Sequence, residues 1–305
     1  MLHALRHKIA YKGRHFTPTW RYVFNLKSTL AYRKTAHPLS AEAQRVVGAL
    51  SQDGVAVTSA AQLLNGNNLF DELRTAVEQL EVDWTDKLAT ERQQAQSYDP
   101  KRKTFILQML GTKPTLDPTS IYARFALQPA ILELANAYFE MYTQLRFYNV
   151  WHTLRTEAAP RESQLWHRDR DDHRILKLFV YLSDIDSSAG ALTYATGTHT
   201  NGQRRANPEF SMEGTVKRTT DEQMARVVPA TQWLTAAGTE GTLVFADTSG
   251  FHKGGLARSR DRLQYVCMFT SPTAQVEELF QRPAQLDLPD DLTQRFALQK
   301  KTSFI

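Results

Sequence analysis

Between residues 145 and 272 the chain is cut into short runs rich in Val, Leu, Thr, Tyr and Phe, separated by Gly, Asp and Ser: "RFYNVWHTLR", "SQLWHRD", "LKLFVYLSDI", "GALTYAT", "GTLVFAD" and "RLQYVCMFT". Such residues fit a pleated, half-buried surface, and the breaks between them carry turn chemistry. About half a dozen strands at this spacing predict a sandwich or small barrel rather than a βαβ sheet. One interruption is long. Residues 200 to 238 are polar and hold one helical run, "TTDEQMARVV", so they are expected to form a lid or binding loop.

Upstream, the spacing turns helical. Ser40 stands as an N-cap before "AEAQRVVGAL", "GVAVTSA" reads as a short strand, and "NNLFDELRTAVEQLEVDW" repeats apolar residues at helical intervals. The polar run "ATERQQAQSYDPKRK" reads as a loop, and "LQPAILELANAYFEMYTQL" as an amphipathic helix with Pro129 near its start. No linker, repeat or low-complexity tract divides the 305 residues, so one domain of mainly β, α+β class is expected. It comprises an arm (1–40), a helical layer (41–144), a strand core (145–272) and a C-terminal extension (273–305).

Charge is unevenly spread. The arm holds eight of the 37 Lys and Arg and none of the 32 Asp and Glu, which leaves 29 against 32, or −3, for the remainder. Basic and aromatic residues together suit an anionic membrane surface, a nucleic acid or an acidic substrate group. A packed extension with a solvated basic face is the simpler expectation, and no nucleic-acid partner is expected. Serine is scarce in the arm for a transit peptide, no secretory apolar block is present, and no apolar run reaches the ~18 residues of a membrane span. A soluble, cytoplasmic protein is expected. The single cysteine, Cys267, lies in a strand-like run, where it reads as a small core residue rather than a nucleophile.

The stretch "WHRDRDDHR", residues 166–174, sets His167, Asp169, Asp171 and His173 at alternate positions. On a regular strand these would share one face, while Arg168 and Arg170 turn to the other, solvated or salt-bridged. An imidazole and a carboxylate on one face, completed by a histidine from another strand, make the 2-His-1-carboxylate set that leaves positions open on non-haem Fe(II). His252, following "GTLVFAD", is the best candidate for the third ligand. Arg262 opens a strand ten residues later. An arginine at the mouth of an apolar barrel can hold the carboxylate of a dicarboxylic cosubstrate. Arg258 and Arg260, in the loop before it, are expected to be solvated.

Taken in order, "SQLWHRD…LKLFVYLSDIDSSAGALTYATGTHT…GTLVFADTSGFHKGG…DRLQYV" resembles the phytanoyl-CoA dioxygenase family of Fe(II)- and 2-oxoglutarate-dependent oxygenases, over about residues 145–272. The resemblance implies a double-stranded β-helix of the jelly-roll or cupin type, flanked by N-terminal helices. It puts His167, Asp169 and His252 on Fe(II) and Arg262 on the far carboxylate of 2-oxoglutarate. Arg260 is the fallback, because the interval from His252 to Arg262 is shorter than some members show. Asn149 falls where several members place an amide that contacts the cosubstrate, the alternative being a strand-edge amide bonded to backbone, and Lys103 is a further candidate to reach the site, the simpler expectation being a solvated lysine. The family's Pro-Gly-Ser-His turn reads Thr-Gly-Thr-His here, which leaves His199 a turn residue and not a ligand. Asp171 and His173 become pocket-rim candidates.

The implied reaction consumes O2 and 2-oxoglutarate, releases succinate and CO2, and oxidises a small molecule. Hydroxylation is the expected outcome, since halogenating relatives carry a small residue in place of the iron carboxylate and Asp169 is present. Two other readings fit the same residues: a metal-binding barrel without turnover, serving as sensor or scaffold, and a cupin-type metal enzyme independent of 2-oxoglutarate. The arm and the 200–238 insertion are the expected pocket walls. Neither substrate nor oligomeric state is indicated, because one fold hosts many chemistries.

Overall fold

The computed structural model describes residues 16–95, 105–213 and 216–300. Along them the strands are β1 (Val55–Ser59), β2 (Ile106–Gln108), β3 (Gln144–Thr153), β4 (Leu176–Tyr181), β5 (Thr193–Ala195), β6 (Ser211–Glu213), β7 (Val216–Arg218), β8 (Trp233–Thr235), β9 (Thr242–Asp247), β10 (His252–Lys253) and β11 (Arg262–Thr270). A six-stranded antiparallel sheet takes the order β1-β9-β4-β11-β3-β2, and a three-stranded sheet the order β10-β5-β8. Isolated bridges, Trp166 to Thr219 and His167 to His252, continue the small sheet beyond β10. From β3 the chain passes to residues 166–169 on the small sheet, back to β4, across to β5 and β8, back to β9, across to β10 and home to β11. This alternation is a jelly-roll, the double-stranded β-helix.

β11 shows why the sequence takes this form. Its nine residues are all buried and pair with β3 on one side and β4 on the other. Leu263, Tyr265, Cys267 and Phe269 join the apolar core beneath the helices. Val266 joins the core between the two sheets, and Arg262 and Gln264 line a cavity there. Period-two alternation thus sorts a helix-facing side from a site-facing side. Cys267 is the buried core residue its surroundings suggest, and burial pushes its thiol pKa up.

The helices before β3 include α1 (Leu26–Thr35), α2 (Ala41–Asp53), α3 (Ala60–Leu64), α4 (Leu69–Asp83), α5 (Thr85–Ala95), α6 (Ile121–Ala126) and α7 (Pro129–Phe139), and α2, α3, α4, α6 and α7 contribute to the apolar core on the outer face of the large sheet. Ser40 caps α2 by accepting from the Ala43 amide at 3.2 Å, and Pro129 opens α7. The stretch expected as a loop after residue 88 is instead helical up to Ala95. Leu88 anchors that turn, buried with Leu107 and Leu154 and packed by Trp84. Within the insertion, β6 and β7 form a hairpin, α8 (Asp221–Ala225) follows, and β8 belongs to the small sheet itself. A last helix, α9 (Leu292–Leu298), packs Phe296, Ala297 and Leu298 against α7 and β3. No described helix is long and apolar enough to cross a membrane.

The described part of the arm, from Phe16, is a packed extension. Trp20 is fully buried, and its Nε1–H donates to Asp172 Oδ1 (2.9 Å) and Ser271 Oγ (3.2 Å). Arg21 makes two bonds to the Glu140 carboxylate, at 2.6 and 2.8 Å. None of residues 16–40 lines either cavity beside the site, and this part of the arm braces the site from behind; residues 1–15 of the expected pocket wall lie outside the described residues.

Candidate metal centre

Residues 166–174 do not form a continuous strand. A 3-10 turn, Glu162–Gln164, leads to the two single bridges, and side chains hold the rest. Trp166 is fully buried, edge-on to Trp233 with centroids 4.8 Å apart, among Met224, Val228 and Phe251. Its indole N–H donates to Asp221 Oδ1 at 2.7 Å, so the insertion helix α8 fixes the residue before His167.

His167 and His252 are locked opposite each other by two backbone bonds of 3.0 Å, each amide donating to the other's carbonyl. Their rings lie 4.3 Å apart, centroid to centroid. The His167 Nδ1 lies 2.9 Å from the Leu165 carbonyl, and the His252 Nδ1 lies 3.0 Å from the Gly250 carbonyl. A carbonyl can only accept, so each Nδ1 carries the proton and each Nε2 keeps its lone pair, the tautomer a metal ligand needs. The Asp169 amide donates to the Thr248 carbonyl at 2.9 Å, two positions short of where a regular ladder would put it. With that offset, ligand atoms of His167, Asp169 and His252 lie within 4.8 Å of one another.

The turn at 248–250 sets this offset. Asp247 is fully buried: its carboxylate accepts from the Tyr138 hydroxyl (2.6 Å) and the Ser249 amide (3.0 Å), and its carbonyl from the Tyr194 hydroxyl (2.6 Å). At Gly250 an added Cβ would stand 1.9 Å from Tyr194 Oη, so only glycine fits where the chain turns back toward His252.

Electrostatics fit divalent metal. Burial, reinforced by the neighbouring His252, drives the His167 pKa down to about 3, and burial also lowers that of His252; both rings are neutral near pH 7. Burial pushes Asp169 up. The Lys177 ammonium and the two imidazoles outweigh it and hold the carboxyl well below the usual carboxylate range. Lys177 Nζ lies 2.7 Å from Asp169 Oδ2. Two neutral imidazoles and one carboxylate, all on one side of a small volume, are the donor set of an open non-haem iron site.

Among the described residues two cavities adjoin the cluster, both bordered by Ser163, His167 and Lys177. The inner one, about 80 Å3, lies between the sheets against Trp151, Phe179, Leu192, His252, Arg262 and Gln264. Arg262 is buried, donates from Nη2 to Thr153 Oγ1 at 3.3 Å, and leaves its Nε without a hydrogen-bond partner. Burial lowers its pKa to about 10, so it remains a cation. The outer cleft, about 770 Å3, is bordered by Asp169 and Asp171 and by Asn207, Pro208, Phe210 and residues 216–219 of the insertion.

The remaining candidates are placed as follows. Asn149 lies on the site-facing side of β3, but its amide is taken by the backbone: Oδ1 accepts from Leu110 N (3.2 Å), and Nδ2 donates to the Gly111 carbonyl (2.7 Å). It borders neither cavity. Arg260 is on the surface, paired with Asp186 at 2.9 Å, and Arg258 bonds the Thr156 carbonyl. His199 is buried in its turn beside Gly54 and Gly202 and stands outside the ligand cluster. His173 is turned from the cavities: its Nε2 meets Thr17 Oγ1 at 2.9 Å and its ring lies 4.9 Å from that of Trp20. Lys103 lies outside the described residues.

Two findings depart from the sequence reading. Arg168 and Arg170 border the same cleft as Asp169 and Asp171, because period-two alternation has no meaning where no ladder continues. Lys177 was missed. A lone lysine in the apolar strand "LKLFVYL", at the parity of Phe179 and Tyr181, was the available signal.

No protein-family model matches the chain, and no curated protein sequence does. Solved structures do. The chain is similar to the epimerase SnoN in complex with Fe3+, α-ketoglutarate and nogalamycin RO, at 16% identity, 77% of this chain and 85% of that one, with TM-score 0.50. It is also similar to EctD from S. alaskensis in its apoform, at 17% identity, 87% of this chain and 89% of that one, with TM-score 0.51. At such identities the likeness is one of fold: the jelly-roll with flanking helices.

Proposed function

We propose that this chain is an Fe(II)- and 2-oxoglutarate-dependent dioxygenase, of the phytanoyl-CoA dioxygenase type, that hydroxylates a small molecule. One observation carries the reading: two backbone-capped histidines present free Nε2 atoms to the same small volume as a carboxylate, beside a buried, incompletely bonded arginine. The same two ligands, Fe and α-ketoglutarate, are named for the SnoN complex of like fold.

His167, Asp169 and His252 hold the metal. Arg262 binds the distal carboxylate of 2-oxoglutarate, where an unpaired cation in a low-dielectric pocket favours an anion. Trp151, Phe179 and Leu192 keep that pocket dry. When bound, iron and 2-oxoglutarate supply the oxidising chemistry, in which O2 delivers one oxygen atom to substrate and one to succinate, with loss of CO2. Retention of Asp169 favours hydroxylation over halogenation. The residues 1–305 act as one oxygenase domain, the insertion serving as the outer wall.

The test is anaerobic 2-oxoglutarate binding to metal-loaded protein, followed by aerobic succinate formation. Arg262→Gln is expected to weaken 2-oxoglutarate at least about 10-fold, in line with about 1.5–3 kcal/mol for a charge-assisted bond, while Arg260→Gln leaves it unchanged. Equal affinity in both variants would overturn the arginine assignment. Tight metal binding with no succinate across a broad substrate panel would favour a sensor or scaffold.

A further inference from the structure

The outer cleft is more basic than the chemistry above requires. Five cations border it, Arg168, Arg170, Lys177, Lys217 and Arg218, against the carboxylates of Asp169 and Asp171. Lys177 is committed to Asp169 at 2.7 Å, and Arg218 to Glu213 at 3.1 Å. The other three have no carboxylate partner among the described residues. They are also not drawn from a generally basic surface, since the chain beyond residue 40 carries 29 Lys and Arg against 32 acids.

Neutral groups hold two of the three in place. The Arg168 guanidinium sits 3.9 Å over the Phe251 ring and donates from Nη2 to the Thr198 carbonyl at 2.8 Å. Its Nε is buried with no hydrogen-bond partner. The Lys217 ammonium, on the β6–β7 hairpin, lies 3.7 Å over the Phe210 ring. Keeping a partly buried guanidinium without a counter-charge costs stability. A cleft bordered by three cations with no carboxylate partner, Arg168 and Arg170 from one segment and Lys217 from the insertion, focuses a positive field on whatever enters. At about 770 Å3 it has the size of a small-molecule site.

We propose that the outer cleft binds the substrate through an anionic group, a carboxylate or a phosphate, seated against Arg168, Arg170 and Lys217, with the remainder of the molecule directed toward His167 and Asp169. The assignment of this ligand as substrate rests on the oxygenase reading above; the anion site itself does not. It is distinct from the cosubstrate position, because Arg262 borders only the inner cavity. A neutral analogue leaves these three cations without a counter-charge and is therefore discriminated against.

The experiment is calorimetry on full-length protein saturated with Mn(II) and 2-oxoglutarate, using phenyl phosphate and benzoate as probes and benzyl alcohol as the neutral control. At least one anionic probe is expected to bind ten-fold or more tightly than benzyl alcohol. That affinity should fall at least ten-fold in Arg168→Gln/Arg170→Gln and several-fold in Lys217→Gln, and should not change in Arg260→Gln. Arg170 and Lys217 are exposed, so Arg170→Gln and Lys217→Gln give folded variants even if Arg168→Gln does not. Three results would overturn the proposal: anionic probes binding no tighter than the alcohol, equal affinity in all variants, or displacement of the probe by excess 2-oxoglutarate. If the protein neither binds 2-oxoglutarate nor forms succinate but still binds the probes with this variant pattern, the oxygenase reading fails and the anion site stands.

Discussion

β11 lies in the large sheet of the jelly-roll and carries a single cation, Arg262, among mostly apolar residues, whereas residues 166–174 reach the small sheet through Trp166 and His167 and are mostly charged. β11 is bonded on both edges, so its register is over-determined and each residue's face follows from its parity. Residues 166–174 have two isolated bridges, a buried indole and an offset turn. There, parity predicts nothing, and Asp169, Asp171, Arg168 and Arg170 all reach one cleft. Regular pairing builds the wall, whereas departures from it bring the reactive groups together.

The sharpest way to break that contrast is to compare two carboxylates which parity treats as equals. Asp169→Asn is expected to weaken Mn(II) or Co(II) binding by more than the ~10–100-fold typical of losing an outer partner, while Asp171→Asn changes it less than about 3-fold on the same scale. Equal losses in titration calorimetry would restore the regular-strand view. A smaller effect is expected at the offset turn. Gly250→Ala forces a Cβ against Tyr194 Oη and should lower unfolding free energy by about 1–3 kcal/mol, as overpacking does, with weaker metal binding. Urea unfolding together with metal titration checks both.

Behind the segment, Trp20→Phe removes the indole donor to Asp172 and Ser271 and should cost on the order of 1 kcal/mol while leaving metal affinity unchanged. A change in affinity would mean that the arm shapes the site rather than bracing it. A contrast in sign rather than size concerns two buried histidines, His152 beside β11 and His167 within the irregular segment. Burial lowers the His152 pKa, but Asp261 at 3.0 Å and Glu81 at 3.3 Å outweigh it and raise the pKa above 6.5. The stability His152 contributes is therefore present below pH 6.5 and lost as pH rises through its folded value. His152→Gln should destabilise more at acid than at alkaline pH. His167 acts oppositely: its folded pKa is about 3, so metal-free protein should lose stability as pH falls from 6.5 toward 3. Denaturant midpoints across pH distinguish the two signs.

These contrasts also mark what was legible in the sequence. Strand-forming runs, the Ser40 cap, Pro129 at a helix start and the alternation of β11 are local signals, and the structure follows them. The grouping of His167, Asp169 and His252 was accessible because two of the three are near neighbours and the third ends a strong apolar strand. Arg168 was misplaced because its direction depends on Phe251 and the Thr198 carbonyl, contacts that local spacing does not encode. Asn149 stood at the right parity, but a loop 39 residues upstream already bonds its amide. The helical turn through Ala95 depends on Leu107 and Leu154, again remote in sequence.

The buried indole of Trp20 has a consequence for the order in which the molecule is completed. Its donor reaches Ser271, 251 positions later, and Asn25 meets Thr273 across 248 positions. During synthesis the chain emerges amino end first, so the earliest of these residues to appear waits for nearly the last. Asp172, three residues beyond Asp169, already meets the Trp20 indole, but it accepts its further bond from the Ser271 amide only once residue 271 is in place. A truncated or stalled chain lacking residues 271–273 would hold both histidines and the carboxylate yet lack the Ser271 bonds to Trp20 and Asp172, so the bracing behind the site is completed later than the strands that contain it.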